Sequence, residues 1–594
     1  MKSTKIFLTS LVCGSLMLAI STTSCKKLET EPKDWFGADL VFDTLDRLGT
    51  VAAFNLNDLY NYIPGGFNRI GSDFLDAASG DAIPSRNNTL VEYYTNRRIS
   101  VLNNPDPYWA NSYYGIRRCN IFMQNIGAVP IVQTDSATIA NAKLTRQYWR
   151  AEARFIRALM YFELLKRYGG VPLIGDRIFK LDDDLQIPRN NFSDCADYIV
   201  NECNIVKDSL RKEAIADADW GRIPKGAAIA LKCRVLLYAA SPLFNGGGIE
   251  TDPVKKALTG YTTADPSRWQ KVIDAAEELN AINYYKLFPT TPPANAATAT
   301  TNFMSVFTTK KNVEIILAKQ SANSTSLENS QAPIGYAGTA TSQGYTSPTQ
   351  NFVDAFPMIN GQQPFNTDGS INTASGYTAA APYFNRDPRL GAIVFYDSLT
   401  WLGRRVETFE GGLDKPNTSG TSIQTKTGYY LKKFLGNFPT GTTYSNQSHN
   451  FPLFRYAEVI LNYAEALNEM NRVEDAVTQI KLIRQRAGIT AGASTRYGIK
   501  TGITQAEMRD LIKNERRIEL SFEEHRFWDL RRWKTAATEL AGPVYGMKIT
   551  KLGTARIYDK VQVGTLLFDT KLYHMPLPYD ETVKNRALIQ NEGW

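Results

Sequence analysis

RAEARFIRALMYFELLKRYGGVPLI, residues 150–174, decides the fold class. Ala151, Phe155, Ala158, Leu159, Phe162 and Leu165 recur at helical spacing, which predicts an amphipathic helix with that stripe turned to a core. Gly169-Gly170 ends the helix, and Val171-Pro172 prevents its restart. Working outward, residues 222–245 read RIPKGAAIALKCRVLLYAASPLFN. The alanines at 227, 228, 230, 239 and 240 permit close helix–helix contact. Residues 269–288, WQKVIDAAEELNAINYYKLF, predict a further helix with Ala275-Ala276 at its centre. Residues 454–488, FRYAEVILNYAEALNEMNRVEDAVTQIKLIRQRAG, split into two helices around Asn471-Arg472.

That last pair, with Ala464 and Ala476 at small-residue positions, is similar to a tetratricopeptide repeat. Alanine-rich pairs near residues 155, 230 and 275 are candidate degenerate copies, although the insertion between Phe244 and Trp269 breaks a strict period of about 34 residues. Over residues 290–450 the composition turns to Thr, Ser, Asn, Gly and Ala, as in TTPPANAATATT at 290–301, and helical periodicity fades. This reads as long surface loops with short strands around 313–317 and 428–434. Loops of such length in a compact protein are usually functional or mobile. The expected fold is mainly α: a tetratricopeptide-like helical scaffold with long, loop-rich, partly β insertions. Residues 25–289 form its N-terminal helical part, 290–450 a loop-rich ligand-binding region, and 451–594 a C-terminal helical part.

The N-terminus has its own logic. Lys2 and Lys5 precede an apolar stretch at 6–20, and Ser21, Thr22, Thr23 and Ser24 lead to Cys25. A basic start, a short apolar middle and small residues make a secretory signal peptide over 1–24. The apolar run is short for a membrane span. A cysteine at the cut point resembles the lipidation site of a bacterial lipoprotein, in the relaxed form of Bacteroidetes-type bacteria, with Thr22 where leucine is usual. The expected mature chain begins at an acylated Cys25. Losing residues 1–24 removes two lysines and no acids, lowering the formal charge from +8 to +6. With no dense Lys/Arg block, nucleic acid is excluded as an expected partner. No later stretch is long and apolar enough to cross a bilayer, so lipid alone would hold the protein.

Little in the chain suggests catalysis or a cofactor. Hydrophobic residues make up 43%, enough for a substantial core. Cys119, Cys195, Cys203 and Cys233 each lie in a segment read as helical, and are expected to be buried free thiols. Cys195 and Cys203 stand eight apart, roughly 12 Å along one helix and too far for a disulfide. Neither zinc spacing nor a histidine cluster is present, since His449, His525 and His574 are far apart. A P-loop, a strand-borne GxGxxG and a G-x-S-x-G elbow are all missing from the sequence. Gly246-Gly247-Gly248 follows a helix and reads as a flexible turn. Residues 515–532 crowd Glu515, Arg516, Arg517, Glu519, Glu523, Glu524, Arg526, Asp529, Arg531 and Arg532 together. A glycosidase pair such as Glu519 with Glu523 or Glu524 would need carboxyls facing each other across a sugar. Side by side on one helix among arginines, both would stay ionised, which is wrong for a general acid. A structural ion-pair network is the expected reading, with Trp528 and Trp533 in the core. Tyr93, Tyr94, Tyr336, Tyr345, Trp401 and Tyr444 differ: they sit among polar residues, with no apolar stripe to account for burial. Aromatic rings stack on the C–H face of a sugar while polar groups pair with its hydroxyls. Packing within a local loop cluster is the alternative for each.

Several segments, in order, resemble the SusD/RagB family of outer-membrane nutrient-binding lipoproteins. They are LETEP (28–32), YWANSYYGIRRCN (108–120), the helices of 150–174 and 222–245, NFVDAFPMING (351–361), NRDPRL (385–390), GYYLKKF (428–434), NERRIELSFEEHRFWDLRRW (514–533) and the tail HMPLPYDETVKNRALIQNEGW (574–594). The resemblance implies one helical scaffold with loops displaying a binding site. It implies a non-enzymatic protein, lipid-anchored in the outer membrane and facing the cell surface. Such a protein lies over a SusC-like TonB-dependent transporter and captures nutrients, mostly oligosaccharides or polysaccharides, without cofactor or metal. Family ligand residues often lie before the 108–120 helix and in the central loops. By position, Asp73, Asp81, Arg86 and Asn87 are the polar candidates near Tyr93 and Tyr94, joined by Tyr336, Tyr345 and Trp401. Lys26 and Lys27 precede Glu29 and Glu31, a departure from the acidic segment that signals surface display. Peptide cargo on the same scaffold, a glycan-degrading enzyme and an adhesive surface protein are the rival readings.

Overall fold

The computed structural model describes residues 38–131, 139–180, 182–336, 342–416, 424–436, 438 and 444–594. The signal peptide, Cys25 and LETEP lie outside the described residues. The main helices are α1 (Thr50–Leu59), α2 (Tyr108–Asn125), α3 (Ile139–Tyr168), α4 (Phe192–Val206), α5 (Lys225–Ala240), α6 (Arg268–Asn280), α7 (Ala296–Thr308), α8 (Tyr456–Glu469), α9 (Val473–Arg486), α10 (Gln505–Glu519) and α11 (His525–Arg532). They pack in series: α2 on α3, α3 on α4, α4 on α5, α5 on α6, α6 on α8, and α8 on both α9 and α10. The chain is therefore mainly α, as expected. The break between α8 and α9 falls at Met470–Arg472, where Asn471 takes a left-handed φ of 60°.

The opening stretch is more buried than a single stripe requires. All six stripe residues of α3 are buried, and so are Glu152, Arg157, Glu163, Lys166 and Arg167 on its other faces. With α2 on one side and α4 on the other, α3 has almost no solvent face from Ala151 to Tyr168, and its charges there survive as ion pairs. Arg157 meets Glu202 at 2.8 Å, and Arg167 meets Asp106 at 2.7 Å. Gly169 ends the helix with φ +79°, a conformation that costs a side-chain-bearing residue more.

Three expectations are corrected. Residues 290–301, read as loop, contain the start of α7. Asn295 caps it by accepting from the Thr298 amide at 2.9 Å, and Ala299, Phe303, Val306 and Phe307 bury one stripe. The helix expected to 288 stops at Asn280, because Asn283 turns to φ 56° and Tyr285 drops into the core. The C-terminal part is not wholly helical, for it carries a long hairpin. Apart from a two-residue pair at Thr400–Trp401 and Arg404–Arg405, the strands are β1 (Ala82–Pro84), β2 (Ile315–Lys319), β3 (Thr346–Pro348), β4 (Val394–Phe395), β5 (Tyr430–Leu431), β6 (Phe451–Arg455), β7 (Gly542–Leu552) and β8 (Ala555–Leu566). They form antiparallel pairs β1–β3, β2–β6, β4–β5 and β7–β8, and a two-residue turn with Gly553 at φ +60° closes the last.

The charge-rich segment at 515–532 is a buried brace. Glu519 accepts from Arg389 at 3.0 Å, from Arg455 at 2.7 Å and from Arg486. Glu523 meets Lys433 at 2.6 Å and Arg455 at 2.7 Å. Arg516 and Arg532 clasp Asp529 at 3.0 and 2.7 Å. Burial pushes the Glu519 carboxyl up, but Arg486, Arg455 and Arg389 outweigh it and hold it well below the usual carboxylate range. It stays ionised and belongs to a network joining α9, α10, β6 and the short Arg389–Ile393 helix. Trp528 and Trp533 are core residues, and the four described cysteines are buried free thiols.

Candidate functional site

The short β1–β3 ladder places the first site. Its register pairs Pro84 with Thr346, so Ser85 and Arg86 leave the ladder beside Tyr345. The Ser85 amide donates to the Tyr345 carbonyl at 2.7 Å, and the Ser85 hydroxyl meets the Ser347 hydroxyl at 2.6 Å. Arg86 then folds back over the Tyr345 ring, 3.8 Å from its centroid. Its Nη2 donates to the Asp73 carboxylate and to the Gly71 carbonyl, both at 2.9 Å. Burial outweighs the pull of Arg86 and leaves the Asp73 carboxyl raised to about 7. Lys426 donates to the Arg86 carbonyl at 3.0 Å. Asn87 is exposed, and Tyr345 is half-buried. The Arg86 side chain keeps 32% of its surface exposed while the Asp73 side chain is closed off. The result is a shelf with a fixed guanidinium on a phenol ring, an open amide beside it, and a buried carboxylate beneath.

Of the nine candidate ligand residues, the structure gathers Asp73, Arg86, Asn87 and Tyr345 here. Tyr93 is half-buried, with Arg98 over its ring at 4.3 Å. The other four are buried. Tyr94 sits edge-on to Phe527 at 5.1 Å, in the core. Asp81 lies under Arg517, which donates to it at 2.7 Å. Tyr336 and Trp401 are only 2% and 4% exposed and tilt against each other at 4.8 Å. Phe395 and Tyr444 extend that cluster, and Arg404 covers the Tyr336 ring at 3.6 Å while pairing with Asp414. Neither ring presents an open face, so for Tyr336 and Trp401 the loop-cluster alternative describes the packing. The shelf is backed by Tyr430: Gly344, φ +50°, lets that ring press on the backbone next to Tyr345, where a Cβ would stand 2.4 Å from the ring. Lys426 was missed because a lone lysine in a Thr/Gly stretch carries no pattern.

Against this geometry, similarity to known proteins is consistent along the chain. Residues 313–594 match the sequence model described as the SusD family, and residues 44–237 match one described as starch-binding associating with outer membrane. The chain is 25% identical to SusD-like protein P2 of Formosa agariphila, over 82% of this chain and 79% of that one. It is also 25% identical to the starch-binding protein SusD of Bacteroides thetaiotaomicron, over 81% and 77% respectively. The crystal structure of a SusD-like protein from Bacteroides fragilis superposes with a TM-score of 0.72 at 25% identity, covering 93% of this chain and 98% of that one. The chain belongs to the SusD/RagB family. Among the described residues, no helix is long and apolar enough to cross a membrane.

Proposed function

We propose that this protein binds nutrient glycans at the cell surface and passes them to a SusC-like TonB-dependent transporter. Acyl chains on Cys25 hold it to the outer membrane. The observation that carries the glycan reading is the half-exposed Arg86 guanidinium, held over the Tyr345 ring by Asp73 so that the stacked pair presents one surface edged by fixed donors, beside the exposed Asn87 amide. Such a mix suits a sugar with one apolar face and a hydroxyl rim. The starch-binding relative and the family membership support the same reading. Capture without turnover fits the buried, fully paired carboxylates at 515–529.

Calorimetric titration of residues 26–594 with soluble polysaccharides, followed by a search for cleavage products, tests it. Saturable binding without products is expected, with a loss of about tenfold in affinity for Arg86→Ala. Silence across the glycans with binding of oligopeptides would replace the glycan by peptide cargo. Released products would make the protein an enzyme.

A further inference from the structure

A second cavity, of about 790 Å³, lies at the far end of the same ladder. The shelf opens where β1 ends at Pro84, and this cleft opens before Ala82, at Ser79-Gly80, with Gln350 and Asn351 following β3. The two are about 20 Å apart along the extended chain between residues 80 and 86.

One wall of the cleft is the β7–β8 hairpin. Its register pairs Tyr545 with Gln562, Met547 with Lys560 and Ile549 with Tyr558. Directly paired and alternate residues share a face of a sheet, so Tyr545, Tyr558 and Lys560 lie on one face, and all three line the cavity. Lys560 reaches across that face to within 4.8 Å of the Tyr545 ring centroid, and it donates to Asp354 at 2.9 Å. Asp354 also accepts from Gln350 at 2.6 Å. The opposite wall carries Tyr377, which leans on Phe365 at 5.0 Å with Arg386 5.6 Å from its ring. At the back stands Arg517, held by Asp81, and behind it Arg526. Arg526 is 6% exposed, lines the cavity, and leaves Nε without a hydrogen-bond partner.

We infer that this cleft is a second carbohydrate-binding site, distinct from the shelf. The inference rests on the glycan reading above. Two half-buried tyrosine rings on the hairpin and a third opposite offer flat apolar faces to sugar rings. Asp354, Lys560, Gln350 and Arg517 stand between them, matched to hydroxyls as donors and acceptors. Charge and amide groups interleave with the rings, whereas a peptide anchor would favour one continuous apolar pocket. The volume lies inside the range of small-ligand sites. Asp81, a candidate ligand by sequence position, acts here as the residue that positions Arg517. Two sites on one chain raise the apparent affinity for a long polymer above that for a short fragment.

The experiment uses residues 26–594 and an oligosaccharide cut from whichever polysaccharide the wild type binds. Stoichiometry and affinity are read for the wild type, for a shelf variant (Arg86→Ala with Tyr345→Ala), for a cleft variant (Tyr545→Ala with Tyr558→Ala) and for all four together. Two oligosaccharides per wild-type chain are expected. One should remain in each pair variant and none in the fourfold variant, and polymer affinity should fall by about tenfold when the cleft is lost. One oligosaccharide per wild-type chain, unaffected by the cleft variant, overturns the second site and leaves the shelf standing. A wild type that binds no carbohydrate overturns both. If the cleft variant does not fold, hydrogen exchange on the wild type decides. Ligand-induced protection at 350–354 and 542–547 as well as at 85–87 supports the cleft, and protection at 85–87 alone refutes it.

Discussion

Glu519 shows how much one residue in this chain carries. Its carboxylate sits among three arginines from three separate segments, all of them buried. Replacing it by alanine removes one carboxylate shared by three buried arginines, which keep Asp387, Glu515, Glu314 and Glu523 as partners, and leaves an excess of positive charge in a low-dielectric interior, which costs far more than losing a surface pair. Glu519→Ala is expected to lower the unfolding free energy by about 3–5 kcal/mol, read as a lower urea midpoint. An unchanged midpoint would mean that the network rearranges around the gap. The charges of 515–532 were legible as a structural network because arginines interleave with acids along the segment itself. Their partners Arg389, Arg455 and Arg486 were not, because nothing local marks an arginine as one that will be buried. The same limit applied to the loop aromatics: Tyr336 and Trp401 look open in a polar sequence and are closed by Phe395, Tyr444 and Arg404.

At the scale of elements, legibility followed length and period. The long helices α3 and α5 carry enough turns for their apolar spacing to stand out. The shorter α7 carries the same signal over 299–307, diluted by Thr and Ala and preceded by two prolines. Its start is fixed by one side chain, so Asn295→Ala is expected to cost about 1 kcal/mol. That appears as a modest fall in urea midpoint with an unaltered slope. No change would show that tertiary packing alone holds α7. The β7–β8 hairpin also left a trace, the alternation Ile557, Val561, Val563 after Gly553, but it lies next to strong helices and is easily absorbed into them. Its two strands join no larger sheet and rest on the Gln350–Ala355 helix, which is what leaves one face free to line the cleft.

For the whole molecule, anchoring is the property to test. Each buried acyl methylene contributes roughly 0.8 kcal/mol, so several chains hold a protein stably where one holds it marginally. Cys25→Ser is therefore expected to move the protein from the membrane pellet to the soluble fraction without altering glycan binding by the folded part. Retention in the pellet after high-salt washing would place the anchor elsewhere.

The sequence by itself determined that this chain is mainly helical, which family it joins, and that the charges of its C-terminal segment form a structural ion-pair network. Each of those rests on local information: repeat spacing, ordered motifs, and neighbours within a few turns. Only the tertiary structure decided which candidate side chains are open. Asp73, Arg86 and Tyr345 meet because β1 pairs with β3 across the chain, and Asp81 goes under because Arg517 lies over it. Loop segments have no period, and the exposure of a ring or carboxylate there depends on which distant segment folds across it.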